Sequence, residues 1–244
     1  MGLSLLLVVG PAPLADIFGT QDAVEQANEQ FEEQAERIEV KLKKDPNDPE
    51  LLLALMNARV SAGNGLVEEP TPGQVALTVE GREQYQQASS IWSEYLKATS
   101  EPTTGAAEKM ARTLFTLAET SRSSREAEAN VKAAAEAQQM VAEERPNLNT
   151  LATLAVYRVF TFDYAGARAA NEEAKQLATS KFQRQQLDKN LDEYLKNAKG
   201  FEEQVKEEET LEKAVQEGEG SQGGENGAFQ NPFGSGIGGT TLSE

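Results

Sequence analysis

Residues 147–179 read NLNTLATLAVYRVFTFDYAGARAANEEAKQLAT, and the fold turns on this stretch. Apolar residues recur at steps of three and four through Leu151, Leu154 and Ala155, and small ones recur in the second half at Ala167 and Ala174. That is the spacing of a helix face, not the alternation of a strand. The stretch predicts a helix over 150–162, a turn at Asp163 and Tyr164, and a partner helix over 165–179. Ala on the second helix lets two backbones approach closely. A hairpin this thin cannot bury its own apolar face, so it must stack on neighbours.

Upstream, a second hairpin pairs a helix over 106–120 with one over 125–144 that stops short of Pro146, with a Ser-rich turn at 121–124 to cap it. A first hairpin opens with Pro49 at the head of a helix over 50–62 and returns through a helix over 80–98, with Tyr85, Ala88, Trp92, Tyr95 and Leu96 facing inward. Its two arms are separated by an insertion over 64–79 containing Glu68-Glu69-Pro70-Thr71-Pro72-Gly73, which should break any regular element. Gly63-Asn64-Gly65 reads as a left-handed helix end. A polar helix over 22–44 precedes this hairpin, with a thin apolar stripe at Ala27, Phe31, Ala35, Ile38 and Leu42. No run alternates polar with apolar, so no sheet is expected.

Past the third hairpin, Leu187, Leu191, Tyr194, Ala198, Phe201 and Val205 recur with a period of 3.5 on a long helix reaching about Val215. A helix capping the last hairpin is one reading of that seam, and a dimeric coiled coil is the other. The chain therefore divides into an apolar N-terminal segment (1–20), a helical domain (21–216) and a Gly-rich tail (217–244). The tail's composition predicts disorder and a part dispensable for folding, with Phe229 and Phe233 as a candidate docking motif inside it.

Charge and composition exclude whole classes of function. With 23 Lys plus Arg against 40 Asp plus Glu, the net charge of −17 would repel a phosphate backbone, so nucleic acid is not an expected partner. There is no Cys and no His among the 244 residues. Thiolate chemistry, imidazole acid–base catalysis and the commonest transition-metal ligand are thus missing together. The pairs Glu32-Glu33, Glu143-Glu144 and Glu172-Glu173 fall on polar helix faces or ends. No catalytic, cofactor or metal site is assigned, and the expectation is a protein that is not an enzyme.

The N-terminus carries an apolar run from Leu3 to Val9 with no Lys or Arg before it. It is shorter than the roughly 20 residues of a bilayer span and lacks the basic start of a signal peptide. Three readings stay open: part of a longer membrane helix, a degenerate signal peptide, or an apolar soluble terminus. The first implies membrane association through residues 1–18, a single N-terminal span and an extracytoplasmic domain. A secreted or a cytoplasmic protein are the alternatives.

The large, large, small spacing Leu151, Leu154, Ala155, answered by Ala167 and Ala174, resembles the tetratricopeptide repeat. Leu114, Leu117, Ala118, Ala127 and Ala137 repeat much of it. Leu52, Leu55 and Met56 with Ala88, Trp92 and Tyr95 do so across the insertion. Asn171 and Arg158 depart from the family's usual large apolar residues. The layout of apolar N-terminus, divergent repeats and Pro-Thr-Pro-Gly insertion is also similar to small single-span repeat proteins of actinobacteria. The resemblance implies an all-α, right-handed α-solenoid of about three TPR-like hairpins closed by a long C-terminal capping helix. It also implies a scaffold that holds a protein or peptide segment in a concave groove lined by the first helix of each hairpin. Asn57, Arg112, Thr116 and Asn149 are the candidate groove contacts, and Arg112 could pair with a partner carboxylate. A structural component assembling through the C-terminal helix and the apolar N-terminus is the alternative function.

Overall fold

The computed structural model describes residues 21–68, 75–216 and 232–233. Among them the chain forms eight helices: α1 (Gln21–Leu42), α2 (Pro49–Asn64), α3 (Val79–Ala98), α4 (Thr104–Glu119), α5 (Ser124–Glu144), α6 (Leu148–Phe160), α7 (Tyr164–Leu177) and α8 (Lys181–Gln216). Among the described residues the fold is all-α apart from one two-stranded antiparallel ribbon, β1 (Val67–Glu68) with β2 (Ala76–Leu77). That ribbon corrects the expectation of no sheet. Its strands are two residues each, too short for alternation to register in the sequence.

Helix starts follow local chemistry. Asp48 accepts from the backbone N–H groups of Glu50 and Leu51 ahead of α2, with Pro49 at the first position where its missing N–H costs nothing. Asn147 accepts from Asn149 and Thr150, and the Thr150 hydroxyl reaches back to the Asn147 N–H, so α6 begins at Leu148 instead of residue 150. It ends earlier as well, because Phe162 adopts a left-handed φ of 63° that closes the turn into α7.

Gly63 and Gly65 act differently from the sequence reading. Gly65 has φ −70°, a right-handed conformation any residue can adopt. Gly63 lies buried inside α2, where a Cβ would sit 2.4 Å from the Tyr85 ring. The glycine is there for close packing of α2 on α3, an approach that the Tyr85 hydroxyl completes by donating to the Asn64 side-chain oxygen at 2.6 Å.

Neighbours in sequence are neighbours in space. The pairs α2 with α3, α4 with α5 and α6 with α7 pack most extensively, and α1 lies on α2. Ala107, Ala111 and Ala118 on α4 and Ala127, Ala134 and Ala137 on α5 are all buried in the core that these two closely packed helices share. Named contacts sort the helices into two layers. In one, Lys109 of α4 donates to Asn57 of α2, Phe115 of α4 stacks on Tyr157 of α6, and Phe160 of α6 meets Phe201 of α8. In the other, Gln84 of α3 donates to Glu32 of α1, and Arg82 of α3 pairs with Glu126 of α5 at 3.0 Å.

Helix α8 crosses the end of this array and packs on α5, α6 and α7. The seam of period 3.5 is spent inside the molecule: Leu187, Leu191, Ala198, Phe201 and Val205 are all buried. Farther along, the Glu208 carboxylate accepts from the Ser124 N–H at 2.9 Å and from the Ser124 hydroxyl, capping the N-terminus of α5 from outside. Burial pushes that carboxyl up, but the hydrogen bonds from Ser124, Arg125 and Ser123 outweigh it and hold it below the usual carboxylate range. The two departures from the repeat pattern are explained by contacts between elements. Buried Asn171 donates to Asp188 of α8, and Arg158 donates to Gln139 of α5 and to the Gly166 carbonyl of α7.

No described helix is long and apolar enough to cross a membrane. The apolar segment 1–20, and with it the membrane association assigned to residues 1–18, lies outside the described residues.

Candidate protein-binding face

The four candidate residues come from α2, α4 and α6. Asn57 is half-buried and accepts from the Lys109 ammonium at 2.5 Å, so it fastens α2 to α4 rather than standing free for a partner. Burial at that junction holds the Lys109 ammonium below its ordinary range. Arg112 lies one turn farther along α4. Its side chain is 67% exposed and pairs with Glu108 at 2.6 Å, while Glu108 also lies 3.6 Å from Arg145. A partner carboxylate at Arg112 therefore competes with an i, i+4 neighbour worth only about 0.3–0.5 kcal/mol. Asn149 is exposed in the first turn of α6, and its side chain takes no part in the capping box, where only its N–H donates to Asn147. Thr116 is half-buried, one turn beyond Arg112 on α4. Arg112 and Asn149 are thus the accessible pair, and Asn57 belongs to the framework.

The sequence reading missed what lies beside Thr116. Phe115 and Tyr157 stack at 4.5 Å with planes 11° apart. Phe160 lies 6.5 Å from Phe201, and Phe162 lies 5.6 Å from Phe201. Into this box of rings from α4, α6 and α8 comes Phe233, with centroids 5.3 Å from Phe115, 4.7 Å from Phe160 and 5.6 Å from Phe201, each in the tilted or edge-on geometry that aromatic quadrupoles favour. Phe233 is 1% exposed. It lies in the Gly-rich tail whose composition predicts disorder, and it is packed on the domain. Residues 217–231 and 234–244, Phe229 among them, lie outside the described residues.

Five of the nine phenylalanines meet here, in a chain whose aromatic content is only 6%. The available signal was that Phe115 directly follows Leu114, that Phe160 ends an apolar helix face, and that Phe201 lies on the seam of period 3.5. Nothing in their spacing could show that they converge, because the three helices lie far apart in sequence.

One ionisable group stands out. Glu119, one turn past Phe115 on α4, is half-buried, and loss of water pushes its carboxyl up to about 7. Tyr157 feels both Glu119 and Arg112 electrostatically, which places all three in one neighbourhood. Burial first, and then the Glu119 charge, holds the Tyr157 phenol far above the usual tyrosine range.

Where the two layers meet, an open depression of about 350 Å³ between α5 and α6 is lined by Glu128, Lys132, Glu136, Gln139, Arg158 and Asp163. Charges of both signs alternate around it, and Arg158 is already committed to Gln139 and Gly166. Among the described residues no group of three or more acidic side chains is placed to hold a metal ion.

Comparisons with protein-family models, with curated proteins and with solved structures return no match to this chain.

Proposed function

We propose that this protein is a non-enzymatic interaction scaffold, a TPR-like right-handed solenoid of about three hairpins that holds a segment of a partner protein on the face formed by α2, α4 and α6. The observation that supports the reading most strongly is the seating of Phe233: an aromatic side chain from a distant, Gly-rich stretch of chain lodges between rings of α4, α6 and α8 on this face. The sequential packing of the helices supports it too, because stacked hairpins cover each first helix incompletely. Arg112 and Asn149 supply accessible polar contacts along the same face. Tethering to a membrane through residues 1–18, with the domain outside the cytoplasm, remains part of the proposal. The alternative of assembly through the C-terminal helix loses support, because the seam of α8 is covered by the chain's own hairpins.

Cross-linking and co-purification from the native cell test the reading. The double variant Arg112→Glu with Asn149→Ala should fold normally, since both side chains are exposed, and should lose its partner. Unchanged partner recovery from the folded variant removes this face from the proposal.

A further inference from the structure

The box formed by Phe115, Tyr157, Phe160 and Phe201 has a feature that an ordinary core lacks: the ring that fills it arrives last in the chain and from outside the helical array. Phe233 follows Pro232, which is itself half-buried, and 16 residues separate it from the end of α8 at Gln216. Five of the fifteen residues between Gln216 and Pro232 are Gly. The box thus accepts a phenylalanine that is presented at a turn formed by Pro232 and Phe233.

We infer that this box is a recognition pocket for a phenylalanine in a Pro-Phe segment, and that the protein's own tail occupies it as an intramolecular ligand which a partner peptide of the same chemistry must displace. The inference rests on the reading of the α4 and α6 face as partner-binding, and it adds the ligand's chemistry and the competitor.

The length of the connection fits a tethered ligand. Phe201 lies 15 residues before the end of α8, a return distance of about 22 Å along a helix rising 1.5 Å per residue. The chain between Gln216 and Phe233 is long enough to cover that distance, since an extended chain spans up to about 3.3 Å per residue. A group tethered within reach of its site has an effective concentration in the millimolar range. An edge-on Phe between three other rings also gives selectivity, since an aliphatic side chain would fill the volume without the ring geometry. Pro at the preceding position restricts the backbone before binding, which lowers the ordering cost of a short peptide.

The test uses a fluorescein-labelled peptide with the sequence of residues 226–237, NGAFQNPFGSGI, titrated by anisotropy against the full-length chain to about 1 mM, the effective-concentration scale of such a tether. The expected result is saturable binding to Phe233→Ala at least about tenfold tighter than to the wild type, with no binding of the peptide that itself carries Phe233→Ala. Because Phe233→Ala also removes a buried ring, a second chain keeps every core residue and lengthens the tether by twenty Gly and Ser residues inserted after Gly220. The effective concentration then falls as the −3/2 power of length, and the peptide should bind this chain about threefold tighter than the wild type. Equal affinity for wild type and both variants, or no saturation of any of them, overturns the inference and makes Phe233 an ordinary core side chain. The two proposals fail separately: peptide binding can be absent while Arg112→Glu still costs the native partner, and the reverse.

Discussion

Replacing Glu119 by Gln should stabilise the protein above neutral pH and change little in acid. The carboxyl stands half-buried on α4 with a titration point near 7, raised by loss of water from the 4.5 of a free carboxyl. The sign follows from proton counting. Between about pH 4.5 and 7 the unfolded chain has already released this proton while the folded chain still holds it. Raising the pH through that window therefore removes stability, and the loss is complete above about 7. At about 1.4 kcal/mol per pH unit the full loss comes to about 3.5 kcal/mol, and partial exposure of the side chain brings the expected value to roughly 2 kcal/mol. For a domain of this size each kcal/mol moves the melting point by about 2–4 °C. Glu119→Gln should accordingly melt about 4–8 °C above the wild type at pH 8, with the gap closing toward pH 5. The comparison between variants matters because a chain with net charge −17 also repels itself as pH rises. That background is shared by both proteins, apart from the one charge under test. A melting-point difference that stays constant from pH 5 to 8, or that grows toward acid, refutes the argument.

Two further substitutions test the packing. Gly63→Ala places a methyl 2.4 Å from the Tyr85 ring and should cost about 1–3 kcal/mol in a denaturant melt; an unchanged midpoint would mean that α2 and α3 are not in this register. Ala167→Leu, at a position with no exposed surface on α7, should overpack the third hairpin by a similar amount. A variant as stable as the wild type there would displace Ala167 from the α6–α7 contact.

The helices were legible because their cause is local. Periodicity, Pro49, Asp48 and the Ser-rich turn before α5 act over a few residues, and the segments they predict agree with the structure to within about two residues. Errors arose where a distant element decides. Gly63 reads as a terminator until Tyr85, 22 residues on, is seen to need its missing side chain. Asn171 reads as a departure from the pattern until its amide is seen to donate to Asp188 of α8. The site was half legible for the same reason. Arg112 and Asn149 could be placed on a first-helix face from repeat spacing alone, and both are exposed. That Asn57 is taken up by Lys109 depends on the distance between two helices, which no spacing encodes.

The tail shows the limit most clearly. Composition forecasts whether a segment can bury enough apolar surface to order itself, and for residues 217–244 the answer was no. It cannot forecast whether one residue of that segment finds a pocket already built by others. Four rings from α4, α6 and α8 make the box, and folding of the hairpins supplies the cost of holding them together. Phe233 docks between rings that the hairpins already hold in place, so the pocket does not depend on what its own segment could build. The same arithmetic applies to a phenylalanine from any other chain, except that it must also supply the translational entropy that the tether removes. Whatever binds this face through the box must therefore bring more contacts than Phe233 does, and the accessible side chains of Arg112 on α4 and Asn149 on α6 are where those contacts are available.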